Sequence, residues 1–202
     1  FTRNFKRPFD ENLQRAMVAG AYEVICQVQG FKCAYIQSDE VSILITDFDD
    51  INTQGWFDYN LSKMVSISAS AMTVGFNGEL SEIEELKIPK RAMFDSRAFN
   101  VPKEDVANAF LWRMKDWQRN SIQMYARAFF SHKELNGKGC SDMHDMLHSI
   151  GKNWATDLAD KWKNGIWIIA TEKGVVERAD ILPNFESVNA VIQPLLQPKE
   201  EE

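Results

Sequence analysis

Apolar side chains along this chain switch between two periods, and each switch marks an element. After Pro8 and Asp10, whose carboxylate is suited to cap free amides, Leu13, Met17, Ala21, Val24 and Val28 recur every three to four residues. That spacing predicts an amphipathic helix ending near Gly30. In "KCAYIQSDEVSILITDF" the period drops to two. Ala34 and Ile36 alternate on one arm and Val41, Ile43 and Ile45 on the other, predicting a hairpin that bends at Ser38-Asp39-Glu40. "TDFDDINTQG" follows as a polar loop; its three aspartates could hold a cation, but ordinary turn chemistry accounts for them. From about Thr53 to Phe76, Phe57, Leu61, Met64, Val65, Ser68 and Met72 predict a second helix, and the small side chains of its "SISASA" segment would let it lie close against the back of the hairpin.

The charged loop "GELSEIEELKIPK" then leads into "RAMFDSRAFNVP", whose middle reads as a strand. Pro102 suits the first turn of a third helix, which carries Val106, Ala109, Phe110 and Arg113 on one face and is expected to break near Asn120 before reaching Phe130. "NGKG" ends that run, "CSDMHDMLHSIG" predicts a short helix between Ser141 as cap and Gly151 as stop, and "IWIIAT" with "VVERA" predicts a second hairpin around Lys173-Gly174. Helices interleaved with hairpins predict an α+β fold with a mostly antiparallel sheet, covered by helices on one side.

Composition narrows the class. The 202 residues, 45% of them apolar and six of them tryptophan, suffice for one sizeable core. One domain over residues 1–192 is expected, followed by an acidic tail over 193–202. No apolar run is long enough for a membrane helix and "FTRNFKRPFD" lacks the apolar segment of a secretory signal, so a soluble, cytoplasmic protein is expected. Three cysteines without a close pair fit a reducing compartment. The net charge of −6 argues against a nucleic-acid partner, but Arg113, Lys115, Arg119, Arg127, Lys133 and Lys138 face only Asp116 and Glu134 over their stretch, a locally basic face compatible with phosphate. Trp112, Trp117, Tyr125, Phe129 and Phe130 lie among these cations and could stack bases, although helical spacing assigns most of them to the core.

Two clusters could carry chemistry. Asp39 and Glu40 repel one another, so their adjacency calls for open water or a cation. In a regular strand they would point to opposite faces; a turn relaxes that limit, yet Mg²⁺ would need oxygen from phosphate, water or another strand as well. Composition alone favours an exposed turn. Cys140, His144 and His148 fall at helical intervals compatible with zinc, but no fourth ligand is evident. Neither a phosphate-binding Walker loop nor a GxGxxG nor a GxSxG elbow occurs.

Taken in order, "NFKRPFD", "AYIQSDEVSIL", "FDSRAFNVP", "WRMKDWQRNSI", "SHKELNGK" and "MLHSIGKNW" resemble successive blocks of the tRNA-histidine guanylyltransferase family, in its guanylyltransferase-like branch. The resemblance runs from Asn4 to about Ile192. It implies a polymerase-palm-like sheet and a nucleotidyltransferase that adds nucleotides to the 5′ end of tRNA in the 3′-to-5′ direction, with GTP and ATP as substrates and two Mg²⁺ ions. The implied partners are tRNA or 5′-truncated tRNA and nucleoside triphosphates, in a homotetramer. By the same resemblance Asp39 is a metal-binding aspartate and Glu40 its neighbouring acid. Ser38 precedes them as in the family. Arg7, with Lys6 beside it and Asp10 supporting the loop, would hold nucleotide phosphates. Arg97, Asn120 and Lys133 match positions that bind the activated RNA end or triphosphate, and Arg119 joins them.

Two departures modify the expectation. The family places a further metal aspartate in an "RxDG" strand just ahead of the block that here begins at Phe1, so an additional upstream segment is expected. "WRMKDWQRNSI" differs at its middle positions from the commoner family pattern, with Gln118 near the point where eukaryotic members carry histidine, so template-dependent repair of 5′ ends fits better than strict tRNA-histidine specificity. The alternatives are a catalytically inactive RNA-binding protein of the same fold and a metal-dependent nucleotide binder akin to nucleotide cyclases.

Overall fold

The computed structural model describes residues 1–2, 5–83 and 91–198. Asn4 of the first block, much of the charged loop before Arg91 and the end of the acidic tail lie outside them. Helix α1 (Glu11–Gln27) begins as the spacing predicts: the Asp10 carboxylate accepts from the amides of Asn12 (2.8 Å) and Leu13 (3.0 Å). Strands β1 (Phe31–Gln37) and β2 (Glu40–Ile45) form the first hairpin. Gly30 makes the entry into it possible. Its φ of +77° is open to glycine, and a Cβ there would stand 2.0 Å from the Thr46 carbonyl oxygen.

Helix α2 (Leu61–Ser81) starts eight residues later than periodicity predicts, capped by Asn60. The delay has a backbone cause. Phe57, Asp58 and Tyr59 all adopt left-handed φ (50 to 60°), which no right-handed helix accommodates, and they make a tight 3₁₀-type turn at Trp56–Tyr59 instead. Helix α2 meets one face of the hairpin in the apolar cluster it shares with α1, Ala34 and Ile36. It packs on α1, where Gly75 lies so near Gly20 that an added Cβ would meet its Cα at 2.9 Å. The predicted strand in "FDSRAFN" is absent. Residues 91–102 form a strap without ladder partners among the described residues, clipped along α2 by Asn77 to the Ala92 backbone (2.9 Å both ways), by the Phe94 amide to Thr73 (3.2 Å) and by Ser68 to Ser96 (2.7 Å).

Helix α3 (Val106–Ala126) runs through Asn120 without the expected break and ends before Phe130. Asn120 is tolerated there because its side chain reaches back to Asp116 (3.3 Å) rather than competing for the backbone. Short helices follow: α4 (His132–Leu135), α5 (Cys140–Ser149), α6 (Trp154–Asp157) and α7 (Asp160–Asn164). Gly139, not Ser141, stands at the N-cap of α5, its amide received by Asp142 at 2.9 Å. Strands β3 (Ile166–Thr171) and β4 (Gly174–Arg178) make the second hairpin, turning at Glu172-Lys173, and α8 (Phe185–Leu195) closes the described chain. That helix crosses position 192, and Leu196 beyond it is buried.

The sheet is antiparallel with order β2-β1-β3-β4. Helices cover both of its faces, not one. Ala34, Ile36, Ile166 and Ile168 point into a core shared with α1 and α2, while Cys33, Tyr35, Trp167 and Ile169 point into a second core with α3 and α8. A third apolar cluster joins the end of α3 to α4, α5 and α6 through Tyr125, Leu135, Leu147 and Trp154. Helix α3 therefore runs from the sheet into the third cluster, bearing on both.

Candidate functional site

Register places the acidic tip. Gln37 pairs with Glu40, which leaves Ser38 and Asp39 as a two-residue connection. Ser38 takes a left-handed φ of 47°, a conformation that costs an ordinary L residue about 1–2 kcal/mol, and both Ser38 and Asp39 are exposed. Strand alternation then decides what Glu40 meets. As the cross-strand partner of Gln37 it shares the face of Tyr35 and Cys33, the face on which α3 lies.

Glu40 there forms an ion pair with Arg113 (Oε1 to Nη1, 3.0 Å). The other guanidinium nitrogen of Arg113 reaches Asp116 (3.4 Å), and Asp116 in turn accepts from Asn120 (3.3 Å) and from Arg119. One network thus runs from the hairpin tip along a face of α3. Beneath it the Tyr35 hydroxyl donates to the Asn164 carbonyl (3.0 Å). Burial pushes the Tyr35 pKa far above the ordinary phenol value, with the Glu40 charge adding to the shift and Arg113 opposing it. Gln37 Oε1, Arg113 Nε and Trp117 Nε1 are buried and have no hydrogen-bond partner among the described residues.

The loop before α1 arrives at the same helix. Asp10 accepts from the Lys6 amide (2.7 Å) as well as capping α1, which turns the chain so that Phe9 stacks on Trp162 (5.0 Å between centroids) and meets Trp117 of α3 edge-on (6.2 Å). Trp117 lies one turn beyond Arg113, about 6 Å along the helix axis. Lys6 and Arg7 remain exposed.

Of the residues singled out in the sequence, the structure joins Glu40, Arg119 and Asn120 in one network, places Ser38 and Asp39 at its tip, and seats the Lys6–Asp10 loop on the next turn of α3. Arg97 and Lys133 are not brought into it. Arg97 stands on the strap beside α2, its side chain 86% exposed and paired with Asp95 (3.3 Å), and Lys133 is exposed on α4. Arg113, Asp116 and Gln37 were not identified as site residues beforehand, yet each left a signal. Gln37 is the polar end of the strand phase that carries Cys33 and Tyr35, opposite to Ala34 and Ile36, and Arg113, Asp116 and Asn120 fall at helical intervals on one face.

Among the described residues no group of three or more His, Cys, Asp or Glu side chains is placed to hold a metal ion. The His144 and His148 rings stand 6.3 Å apart, with His144 edge-on to Trp154. Of the loop aspartates Asp50 serves a turn, accepting from the Asn52 amide (2.7 Å), whereas Asp47 accepts from Tyr59 (2.7 Å) and Asp49 from the buried Lys32 (2.5 Å), partners distant in the chain. Asp39 and Glu40 do fit a hard divalent cation in donor type, carboxylate oxygen at an exposed tip, provided that water and phosphate oxygens complete the shell and that Glu40 shares its carboxylate with Arg113.

The fold is a mixed α/β arrangement in which a four-stranded antiparallel sheet carries an acidic hairpin tip beside helix α3. The sequence profile described as tRNAHis guanylyltransferase matches residues 1–102, half of the chain. Among solved structures, a bacterial tRNA(His) guanylyltransferase (Thg1)-like protein in complex with ATP superposes with a TM-score of 0.90 at 38% identity, over 97% of this chain and 85% of that one. One in complex with GTP gives 0.78 at 36%, over 97% and 84%. The tRNA(His) guanylyltransferase of Saccharomyces cerevisiae, at 21% identity, shares the fold with a TM-score of 0.69 over 88% of this chain and 81% of that one. A comparison with curated proteins gave no match. The chain belongs to the tRNAHis guanylyltransferase family, a family of nucleotidyltransferases acting in tRNA processing. None of its described helices is long and apolar enough to cross a membrane.

Proposed function

We propose that this protein adds nucleotides to the 5′ end of tRNA or 5′-truncated tRNA in the 3′-to-5′ direction, as a cytoplasmic Mg²⁺-dependent transferase working on GTP and ATP in a self-associating assembly. The observation that carries this reading is the standing of the Asp39–Glu40 hairpin tip at the face of the sheet on which α3 presents Arg119 and Asn120. Phosphoryl transfer depends on positioning and charge neutralisation more than on a protein nucleophile. The chain supplies both in this arrangement. Asp39 and Glu40 would hold the divalent ions, which when bound stabilise the charge on attacking and leaving oxygens. Lys6 and Arg7, exposed on the loop that Asp10 rigidifies, approach the triphosphate. Arg119 and Asn120 face the RNA end, while Arg97 and Lys133 reach the RNA from outlying elements. Residues 1–192 act as one catalytic domain in this reading.

A binding protein without catalysis is the second reading, and the Arg113–Glu40 ion pair favours it, because a guanidinium is what would neutralise a carboxylate that no longer serves a metal. One assay separates the two. The protein is incubated with 5′-truncated tRNA, labelled GTP and Mg²⁺, alongside Asp39→Ala. Transfer is expected in the wild type and a loss of at least 100-fold in the variant, with RNA binding retained. RNA binding without incorporation in the wild type, or undiminished turnover in the variant, would sink the transferase reading.

A further inference from the structure

We propose that Trp112 is a stacking platform for a nucleobase, presented at the edge of the acidic tip by the locked side chain of Arg113. The proposal rests on the transferase reading above. Of the six tryptophans, Trp56, Trp117, Trp154 and Trp167 are buried and Trp162 is covered by the Phe9 ring. Trp112 alone is 69% exposed. Its exposure is not an accident of a helix end, because it lies within α3, off the inward face formed by Phe110, Met114, Trp117 and Ser121. An indole left in water forgoes much of the burial that makes tryptophan stabilising and keeps a flat apolar face open to a ligand, and its neighbours decide which ligand fits.

The surroundings identify that ligand chemically. The Arg113 guanidinium lies 4.6 Å from the Trp112 ring centroid and is itself held by Glu40 and Asp116, so one side of the indole has a fixed cationic neighbour. Lys115, Asp116 and Arg119 follow Trp112 at intervals of three, four and seven residues and share its face. Lys115 and Arg119 are exposed, and the stripe from Trp112 to Arg119 spans about 10 Å of helix, the scale of one nucleotide with its phosphates. The carboxylates facing the stripe, Glu40 and Asp116, are each already met by a guanidinium. A flat aromatic face followed by cations is complementary to a base followed by phosphates. Two sources can supply that base, the incoming nucleoside triphosphate and the terminal nucleotide of the RNA.

The test measures equilibrium binding of three probes, GTP, inorganic tripolyphosphate and a 5′-truncated tRNA transcript, to the wild type, Trp112→Phe, Trp112→Leu and Trp112→Ala. Leu retains apolar bulk without a π face, and Phe restores the face. Stacking predicts that Leu and Ala weaken GTP or RNA binding about tenfold or more, that Phe retains most of it, and that tripolyphosphate is unaffected. A loss confined to GTP assigns the base to the incoming nucleotide, and one confined to RNA assigns it to the acceptor. Leu binding both as tightly as the wild type, or tripolyphosphate falling in parallel with GTP, would overturn the platform while leaving the transferase reading intact. A wild type that binds neither GTP nor RNA would overturn both.

Discussion

The ion pair between Glu40 and Arg113 is where hairpin and helix are coupled, and its worth can be measured. Two unit charges about 4 Å apart attract by about 1 kcal/mol in water and about 4 kcal/mol at an effective dielectric near 20. The Glu40 side chain is 44% exposed and that of Arg113 27%, so the pair lies toward the aqueous limit. Two further considerations act in opposite directions. The contact is a hydrogen bond to charged groups at 3.0 Å, which strengthens it. Holding two long side chains in one geometry costs side-chain entropy, which weakens it. A coupling energy of about 1 kcal/mol is the expected balance. It is read from a double-mutant cycle of Glu40→Gln, Arg113→Gln and the combination, by urea denaturation at 50 mM and 500 mM salt. The single variants should sum to more destabilisation than the double variant shows, and the excess should shrink but persist at high salt. Additive effects within about 0.3 kcal/mol would refute the coupling and with it the claim that α3 holds the tip.

Two further outcomes follow from local geometry. Gly30→Ala should destabilise the fold by about 2–4 kcal/mol in chemical denaturation, because left-handed strain adds to a clash with the Thr46 backbone, whereas Gly137→Ala, with a similar φ of +75° and open space around it, should cost only about 1 kcal/mol; equal costs would show that the Thr46 contact is unimportant. Asp157 has its pKa lowered by the Tyr125 hydroxyl first (2.6 Å) and the Asn153 amide second (2.9 Å), so its stabilising contribution is complete above the unfolded carboxylate pKa near 4 and disappears as pH falls through the lower folded value. The urea midpoint of Asp157→Asn should therefore fall below that of the wild type at pH 7 and approach it at pH 3; a gap constant over that range would rule out the linkage.

What the sequence disclosed and what it withheld follow one division, between interactions local in the chain and interactions that need the fold. The Asp10 cap and the first hairpin are settled within a few residues, and periodicity alone locates them. Alternation even states that Gln37 and Glu40 point one way, but not toward what. The late start of α2 was hidden because Phe57 fits a helical stripe, and its left-handed backbone has no compositional mark such as glycine. The strap failed as a strand for the opposite reason: its residues alternate suitably, but Asn77, Thr73 and Ser68 of α2 satisfy part of its backbone and its serine, competing with any ladder. The site shows the division most sharply. Resemblance named Glu40, Arg119 and Asn120 as separate contributors, and only the packing of α3 on the β1 face reveals Arg113 and Asp116 as the residues that connect them. In the sequence Arg113 is one cation of a locally basic stretch, because sequence counts charges without their partners. Its neutralisation by two carboxylates from different elements means that the basic face is less basic than its composition, and that the positive charge α3 retains there resides in Lys115 and in what Arg119 keeps beyond Asp116.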